Sequence, residues 1–287
     1  MTVRDALIFG AHELKAHRCD AADPVRESEA LLEAATGMPR ERFFSDPSRR
    51  LTAAQARRYG SFLARRSRHE PLAYLLGSAW FLGREFAVDA RVLIPRPATE
   101  HVAEAAIEAA KSRRATLFVD VGTGSGCIAV SAALSLPRAA VLATDSSASA
   151  LAVARRNARR HGASGQVSFR KGDLAAPALA SLRRADGAVL VANLPYIPAG
   201  SMRRASPCVR REPRQALVGG QDGLGHFRRL LKQLSARRRM APASLFFEML
   251  PGQYAALEAE VKKNFPGVRA GKILNFESVC VGLRADI

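Results

Sequence analysis

The chain has few of the residues that define several special classes of protein. Its 287 residues include only one tryptophan and four cysteines. The cysteines are far apart and form no CxxC pair, which argues against both a zinc site and a disulfide framework; they are Cys19, Cys127, Cys208 and Cys280. We therefore expect reduced thiols without a chemical role, and no bound metal.

Long uninterrupted apolar runs are also missing. No stretch approaches the roughly 18 residues that a membrane-spanning helix requires. Charged side chains interrupt residues 1–18, where a signal peptide would have its apolar core. The content of hydrophobic residues, 48%, is ordinary for a globular protein with a well-formed core. These features predict a cytoplasmic protein without a membrane partner, which we expect to be a monomer.

Acidic residues are outnumbered by basic ones. The chain has 44 Lys and Arg against 26 Asp and Glu, a formal net charge of +18. Such an excess favours an anionic partner, and a weak contact with RNA or the ribosome through a basic surface is one interpretation. Solvated faces in an Arg-rich composition are the other, because no basic block dominates. The excess consists mostly of scattered Arg clusters: 57–58, 65–66, 113–114, 155–156, 183–184, 203–204 and 237–239.

Helix signals dominate the first part of the chain. Asp23 precedes a proline, as at a capped helix start, and Gly37 ends the apolar periodicity that follows. Residues 52–55 (Thr-Ala-Ala-Gln) have the form of a capping box and open a second amphipathic helix. We therefore predict a small helical domain at residues 1–71. Glycines then break short apolar runs over residues 72–95, which predicts a hairpin-like linker.

After residue 96 the pattern changes to alternating strands and helices. The apolar runs predict strands at 116–121, 141–144, 167–170, 187–192 and 244–248. Helical periodicity falls between and after them, at 127–136, 148–161 and 253–265, and a closing hairpin is predicted at 272–283. This alternation is typical of an α/β fold. We predict a doubly wound, mainly parallel sheet over residues 96–287, with ligands bound beyond the carboxyl ends of its strands.

A glycine-rich turn follows the first predicted strand of this domain. Cys127 occupies the position where a dinucleotide fingerprint has its third glycine, so pyrophosphate binding is poorly supported. A phosphate-free nucleoside that approaches the bare backbone fits better. The predicted cofactor loop is Gly122, Thr123, Gly124, Ser125 and Gly126.

Acidic residues stand at the ends of the next two strands. Asp145 is placed to accept hydrogen bonds from two ribose hydroxyls, as the corresponding acid does in dinucleotide-binding folds. Asp173 is placed to accept from an adenine amino group, while Leu174 packs against the ring. The alternative for each aspartate is an ordinary helix cap. Together with the glycine loop, the two acids predict S-adenosylmethionine as cofactor.

The strand at 187–192 leads into Asn193, Leu194, Pro195 and Tyr196. This segment resembles the [Asn/Asp]-Pro-Pro-[Tyr/Phe] motif of methyltransferases that act on planar nitrogen. Such a nitrogen is a poor nucleophile because its lone pair is delocalised. Two acceptors, the Asn193 side-chain oxygen and the Leu194 carbonyl, could take its two N–H hydrogens. Pro195 would fix the backbone and Tyr196 would stack on the acceptor.

We therefore predict catalytic roles for Asn193, Pro195 and Tyr196. Leu194 completes the acceptor site, and Asn193 also belongs to the cofactor site. The alternative is an ordinary turn at the end of a strand.

Four further segments make the chain similar to the HemK family, the protein-(glutamine-N5) methyltransferases of peptide-chain release factors. They are residues 68–77 (Arg-His-Glu-Pro-Leu-Ala-Tyr-Leu-Leu-Gly), 92–100 (Val-Leu-Ile-Pro-Arg-Pro-Ala-Thr-Glu), 212–224, and Phe247-Glu248 with Gln253. The resemblance implies a Rossmann-like class I methyltransferase domain and S-adenosylmethionine as methyl donor, with S-adenosylhomocysteine as product. It also implies a release factor as partner, modified at the glutamine of its Gly-Gly-Gln loop and recognised with help from the helical domain.

Two residues depart from the family pattern: Leu194 replaces the first proline of the motif, and Ala98 replaces an aspartate. Asn-Leu-Pro-Tyr is also typical of ribosomal RNA adenine dimethyltransferases, so an RNA or DNA adenine-N6 methyltransferase is one alternative. Against it, the extra domain precedes the catalytic domain here. A catalytically silent binding module is the other alternative. Residues 219–221 (Gly-Gly-Gln) mimic the substrate loop, which we regard as a coincidence.

Overall fold

The computed structural model describes residues 1–17, 23–236 and 243–287, and within them the chain divides into two compact units. Residues 1–78 and 205–212 form the first unit, and residues 79–204 and 213–287 form the second. Cys19 and the arginines at 237–239 lie outside the described residues.

Helices build the first unit. They are α1 (Val3–Ala16), α2 (Pro24–Thr36), α3 (Arg40–Ser45), α4 (Ala53–Arg66) and α5 (Leu72–Leu76). The Asp23 carboxylate accepts hydrogen bonds from the backbone of residues 25 and 26, and Gly37 ends α2 with a φ of 70°. Thr52 and Gln55 form the predicted capping box. These local signals predict the helices correctly because each depends only on residues within one turn.

The core of this unit contains a buried polar contact. The Tyr59 hydroxyl donates to the Ala6 carbonyl at 3.1 Å and lies 2.7 Å from Ser28 Oγ. Gly10 is required beside it, because a Cβ at that position would overlap the Tyr59 hydroxyl. Burial raises the pKa of Tyr59 to about 12. The helices are thus fixed together by one tyrosine as well as by apolar packing.

The segment predicted as a hairpin-like linker contains more than a hairpin. It includes α5 and a two-stranded sheet of β1 (Ser78–Phe81) and β2 (Arg84–Ala87). Leu82 and Gly83 join the strands with positive φ values of 47° and 71°, as a two-residue hairpin turn requires. The domain boundaries that we placed at 71 and 95 stay predictions.

A seven-stranded sheet organises the second unit. Its strands are β3 (Leu117–Val121), β4 (Ala140–Asp145), β5 (Val167–Lys171), β6 (Ala188–Ala192), β7 (Ala243–Glu248), β8 (Arg269–Leu274) and β9 (Cys280–Asp286). The spatial order is β5-β4-β3-β6-β7-β9-β8. Strand β9 runs antiparallel to both β7 and β8, and the other neighbouring pairs are parallel. The predicted doubly wound, mainly parallel sheet with a closing antiparallel hairpin is confirmed.

Helices cover both faces of the sheet. They are α6 (Pro97–Ser112), α7 (Cys127–Ser135), α8 (Ala148–Arg160), α9 (Leu179–Leu182), α10 (Gly225–Ser235) and α11 (Tyr254–Asn264). One core joins α6 and α7 to strand residues such as Phe118, and the other joins α10 and α11 to residues such as Val119. Helices α6, α9 and α10 were not predicted. Among the described residues, no helix has the length and apolar character needed to cross a bilayer.

Strand β3 lies inside the sheet, with β4 on one side and β6 on the other. The chain leaves β3 toward β4 and β5, and then crosses over to place β6 on the opposite side. Such a reversal opens a crevice at the carboxyl ends of the strands, which is where open α/β sheets bind their ligands.

Candidate active site

A cavity of about 350 Å³ lies at the carboxyl ends of β3, β4 and β6, within the usual size range of small-molecule sites. Most of the residues that the sequence singles out line it. They are Gly122, Thr123, Gly124, Ser125, Asp145, Asp173, Leu174, Asn193, Leu194 and Pro195. Gly126 and Tyr196 are not in the lining. The structure therefore brings the predicted cofactor and acceptor residues to one place, although they come from four separate segments.

The three glycines of the loop differ in the space that a Cβ atom would have. All have positive φ, 79° at Gly122, 54° at Gly124 and 81° at Gly126. A Cβ at Gly126 would lie 2.9 Å from the Cβ of Ala154 in α8, and a Cβ at Gly122 would lie 3.0 Å from Leu194 Cδ2. A Cβ at Gly124 would meet nothing closer than 4.0 Å. The outer glycines allow close packing, while the middle one leaves the backbone bare toward the cavity.

Asp145 ties the glycine loop to the end of β4. Its Oδ2 accepts from the Gly124 amide at 2.9 Å, and its Oδ1 accepts from the Ser147 amide at 2.8 Å. Burial raises the pKa of this carboxyl, against the hydrogen bonds from the backbone. Each carboxylate oxygen has two acceptor sites, so the side chain retains the capacity to receive hydroxyl donors from a ligand.

Asp120 supports the glycine loop from beneath and was missed in the sequence. It is fully buried in β3, and its Oδ2 accepts from Thr123 Oγ1 at 2.6 Å and from the Ala129 amide at 3.1 Å. Within the described part of the chain, its Oδ1 has no hydrogen-bond partner. Burial raises the pKa of Asp120 to about 7, and the nearby charge of Asp145 adds to the rise. The sequence signal that could have identified Asp120 is its position as a single acid in an otherwise apolar strand.

Asp173 is held from α10. Arg229 Nη2 donates to its Oδ1 at 2.6 Å, and Gln233 Nε2 donates to its Oδ2 at 2.9 Å. The Asp173 side chain remains half exposed. Leu174 follows with a φ of 49°, and its carbonyl accepts from Thr144 Oγ1 at 2.8 Å. The position of Asp173 thus depends on a helix that the sequence pattern did not predict.

The acceptor segment begins where β6 ends. Asn193 is half-buried, and its Nδ2 donates to Thr99 Oγ1 at 3.0 Å. The Tyr196 hydroxyl donates to Glu248 Oε1 at 2.9 Å. Thr99 and Glu248, at the start of α6 and the end of β7, were quoted only as parts of family segments. Their link to the acceptor residues is long-range in sequence, so no local pattern could reveal it.

Leu194, the residue that departs from the family motif, is buried at 3% exposure. Its Cδ2 lies against Gly122, and its side chain belongs to the core on one face of the sheet. The leucine therefore contributes packing beneath the glycine loop in addition to its backbone carbonyl.

Residues 217–225 brace the acceptor segment from outside. The Ile197 amide donates to the Leu217 carbonyl at 2.9 Å, and the Gly219 amide returns a bond to the Ile197 carbonyl at 3.0 Å. A Cβ at Gly219 would clash with the Pro195 carbonyl. Gln253 Nε2 also donates to the Tyr196 carbonyl at 2.9 Å. Gly219 of the Gly-Gly-Gln sequence therefore has a structural reason to be a glycine.

Among the residues that the structure describes, no group of three or more His, Cys, Asp or Glu side chains is arranged to hold a metal ion. Among the described residues, Cys127, Cys208 and Cys280 form no disulfide. Burial raises the pKa of Cys127 to about 12, so this thiol stays protonated at neutral pH.

Sheet order, glycine loop and cavity together define a Rossmann-like class I methyltransferase. The chain matches the family described as the methyltransferase domain over residues 118–212, and the PrmC N-terminal domain over residues 5–77. It is 42% identical over 231 residues to the release factor glutamine methyltransferase of Moorella thermoacetica, covering 80% of each chain. Identity to the enzyme of the same name from Nitratidesulfovibrio vulgaris is 41% over 227 residues, 78% of this chain and 75% of that one. The chain belongs to the release factor glutamine methyltransferase family, as its motifs predicted.

Solved structures of lower identity agree on the fold. The delta-N METTL16 methyltransferase domain is 16% identical, with a TM-score of 0.52 over 70% of this chain and 86% of that one. The hMettl16 catalytic domain in complex with a MAT2A 3'UTR hairpin is 14% identical with the same TM-score, over 70% and 74% of the two chains. At such identity the likeness shows a shared methyltransferase fold and nothing about the acceptor.

Proposed function

We propose that this chain transfers a methyl group from S-adenosylmethionine to the side-chain amide nitrogen of a glutamine, in the Gly-Gly-Gln loop of a peptide-chain release factor. The observation that carries the proposal is the shared cavity. The glycine loop after β3 and the acceptor segment after β6 line the same space, in a chain of this family.

The residues present fit the cofactor. Gly124 has no side chain, so a ligand can approach its backbone closely. The Asp145 carboxylate would accept hydrogen bonds from the ribose hydroxyls. Asp173 would accept one from the adenine amino group, and Leu174 would pack against the adenine ring. Asp120 supports the loop from beneath, through the Thr123 hydroxyl that donates to its Oδ2. When bound, S-adenosylmethionine supplies a methyl carbon attached to a positively charged sulfur, which a nitrogen lone pair can attack.

The acceptor amide has to be made nucleophilic, and the protein's contribution is position and hydrogen bonding. The Asn193 side-chain oxygen and the Leu194 carbonyl would accept the two N–H hydrogens of the glutamine amide. This arrangement favours the state in which the nitrogen lone pair leaves conjugation with the carbonyl. The nitrogen then gains a bond to the methyl carbon and loses one proton. Tyr196 and Pro195 would shape the surface on which the amide plane lies.

A direct assay distinguishes this proposal from its alternatives. The chain is incubated with methyl-labelled cofactor, a release factor and ribosomal RNA in one mixture. Label on the loop glutamine, located by peptide mass spectrometry, is the expected result. A release factor with alanine in place of that glutamine is the matched control and should remain unlabelled. Label in the RNA would support the adenine methyltransferase alternative, and cofactor binding without any transfer would support the silent module.

Contact with RNA or the ribosome and the oligomeric state need experiments of their own. RNA or ribosome contact through the basic surface predicts a steep loss of binding with increasing salt. If the arginines are only solvated, binding to generic RNA should be nearly gone at physiological salt. A monomeric state also stays a prediction, which light scattering of the full chain tests.

A further inference from the structure

Asn157 is a fully buried polar residue of α8 to which the proposed transfer assigns no role. Its side-chain amide bonds to the backbone of two other segments. The Oδ1 accepts from the Ala87 amide at 2.8 Å, and the Nδ2 donates to the Ala87 carbonyl at 2.9 Å and to the Ser125 carbonyl at 2.8 Å. A buried amide is costly unless it is hydrogen-bonded, and this one finds its partners 70 and 32 positions away.

The three backbone partners fix the orientation of the Asn157 amide. A side-chain amide has one carbonyl oxygen, which accepts, and one NH₂ group, which donates twice. In the reversed orientation, the oxygen would face both carbonyls and the NH₂ group would face the Ala87 amide, so all three contacts would be repulsive. In the observed orientation, Asn157 offers Ala87 the donor and acceptor that a neighbouring strand would offer. The side chain is therefore a specific link between two backbones.

The two segments that Asn157 joins both belong to the walls of the cavity. Ser125 lies in the glycine loop and lines the cavity directly. A second set of lining residues forms what we call the β2 wall: Arg91, Val92, Leu93 and Pro95. Ala87, the last residue of β2, precedes this set by four positions. Asn157 thus connects the start of the β2 wall to the glycine loop.

Close packing brings α8 within reach of both segments. A Cβ at Gly126 would lie 2.9 Å from the Cβ of Ala154, so the helix lies directly against the glycine loop. Ala154 and Asn157 are three positions apart and therefore lie on the same face of α8. His161, at the end of this helix, contacts β2, because its Nε2 lies 3.0 Å from the Glu85 carbonyl oxygen. Asn157 is located between these two contacts along the helix.

We infer that Asn157 is a positioning residue of the cofactor site, which holds the glycine loop and the β2 wall at a fixed separation. The inference rests on the proposed function for the identity of the cofactor. The link itself does not depend on that identity, because it consists of contacts among Asn157, Ala87 and Ser125 alone. Without the amide, three backbone groups lose a hydrogen bond and the two segments can move relative to each other. The cofactor would then have to order both segments when it binds, which lowers its affinity.

Gln253 offers a matched control in the same unit of the chain. Its side-chain amide also accepts one hydrogen bond and donates two. The Oε1 accepts from the Leu250 amide at 3.0 Å, and the Nε2 donates to the Tyr196 carbonyl at 2.9 Å and to the Asp222 carbonyl at 3.0 Å. These bonds hold the acceptor segment and not the glycine loop. Loss of either amide should destabilise the fold, while only loss of Asn157 should affect the cofactor.

The variants are Asn157→Leu and Gln253→Met, each of which replaces an amide with an apolar side chain of similar size. Calorimetry with S-adenosylhomocysteine, well below the Tm of each variant, measures cofactor affinity. We expect Asn157→Leu to raise the Kd roughly 10- to 100-fold, as when an outer partner that orients a metal ligand is lost. Gln253→Met should remain within about twofold of the wild-type Kd, because its contacts are separate from the glycine loop.

Hydrogen–deuterium exchange without cofactor is the second measurement. In Asn157→Leu, peptides that cover residues 84–95 and 120–130 should exchange faster than in the wild type, because the glycine loop and the β2 wall have lost their link. In Gln253→Met, these peptides should exchange at the wild-type rate, and the faster exchange should appear at residues 193–197 instead. A residue that only stabilises the fold would lower the Tm and leave the Kd of the folded variant unchanged.

A wild-type Kd in folded Asn157→Leu would overturn the inference. An equal rise in Kd in Gln253→Met would also overturn it, because the effect would then follow from the loss of any buried amide. If Asn157→Leu does not fold, Asn157→Ala takes its place with the same expected results.

The proposed function can fail separately. If the wild-type chain bound S-adenosylhomocysteine but methylated no release factor, only the proposed acceptor would be wrong, and the Kd values would still decide the role of Asn157. If the wild-type chain bound no cofactor, the proposed function would fail. The exchange of residues 84–95 and 120–130 would then decide whether Asn157 holds the two segments together.

Discussion

Two neighbouring segments of the catalytic unit, the glycine loop after β3 and the acceptor segment after β6, are built in opposite ways. The loop at residues 122–126 depends on backbone shape, with three positive φ values and side chains that must be absent. The acceptor segment at residues 193–196 depends on side chains that reach α6 and β7. Local backbone conformation thus determines the glycine loop, whereas long-range contacts determine the acceptor segment. Substitutions in the glycine loop should affect whether the pocket forms, and substitutions in the acceptor segment should affect turnover.

Asn193→Ala should give the largest effect on the acceptor side of this comparison. The lost oxygen acts mainly in the transition state, so kcat and kcat/KM should fall together by roughly 10²–10³, by analogy with oxyanion-hole donors. Cofactor affinity should be nearly unchanged. Steady-state kinetics and calorimetry measure the two quantities. An equal loss in cofactor affinity would show that the two segments are not separable.

Gly126→Ala should be the most damaging change in the loop. The new Cβ would meet Ala154 at 2.9 Å, on a backbone with a φ of 81°. Left-handed strain and overpacking together should lower the free energy of unfolding by about 2–4 kcal/mol. Gly124→Ala is the control, because it has a similar backbone strain and open space, and should cost only about 1–2 kcal/mol. Denaturant titration compares them, and equal costs would contradict the assigned packing role of Gly126.

Asp120 makes the loop region sensitive to pH. Its pKa is about 7 in the folded chain, against an ordinary value of 3.8 for an aspartate. Between these values the folded state retains a proton that the unfolded state releases, so the free energy of unfolding should fall as the pH rises. From pH 5 to pH 8 the loss should be roughly 2–3 kcal/mol relative to Asp120→Asn, which does not titrate. Denaturation at both pH values measures it, and parallel behaviour of the two proteins would be inconsistent with a perturbed Asp120.

Asp145→Ala should have a smaller effect, confined to the cofactor. Loss of the ribose acceptor should weaken S-adenosylmethionine binding by about 1.5–3 kcal/mol. Asp173→Ala should weaken it less, because that carboxylate is half exposed and already shared with Arg229 and Gln233. Calorimetry on folded variants gives both values. If Asp173→Ala weakened cofactor binding more than Asp145→Ala, the ribose could not be assigned to the end of β4.

The same contrast explains what the sequence could and could not predict. Strand β3 is buried along its whole length, and the predicted run at 116–121 differs from Leu117–Val121 by one residue. Helix α6 was not predicted, although Pro97 occupies its first position, where proline is favoured. Helix α10 follows a glycine-rich segment, and no side chain caps its first turn, so the sequence has no local signal for its start.

In the site, local motifs identified ten of the residues that line the cavity but not the partners that hold the acceptor segment. Thr99 lies 94 positions from Asn193, and Glu248 lies 52 positions from Tyr196, so only the fold brings these pairs together. Asp120 was visible as an acid in an apolar strand, and weighing the cost of burying it would have marked it as unusual. The roles assigned to Asp145, Asp173 and the acceptor segment stay predictions.

The pairing of β3 with β6 fixes the distance between the glycine loop and the acceptor segment. Val121 is in register with Ala192, so Gly122 and Asn193 are the next residues on adjacent strands. Their backbones are separated by about one strand spacing, roughly 4.8 Å. A slip of one residue would turn every side chain of β6 to the other face and is therefore strongly disfavoured. The sheet, and not the loops around the mouth of the pocket, therefore sets the separation of the glycine loop from the acceptor segment.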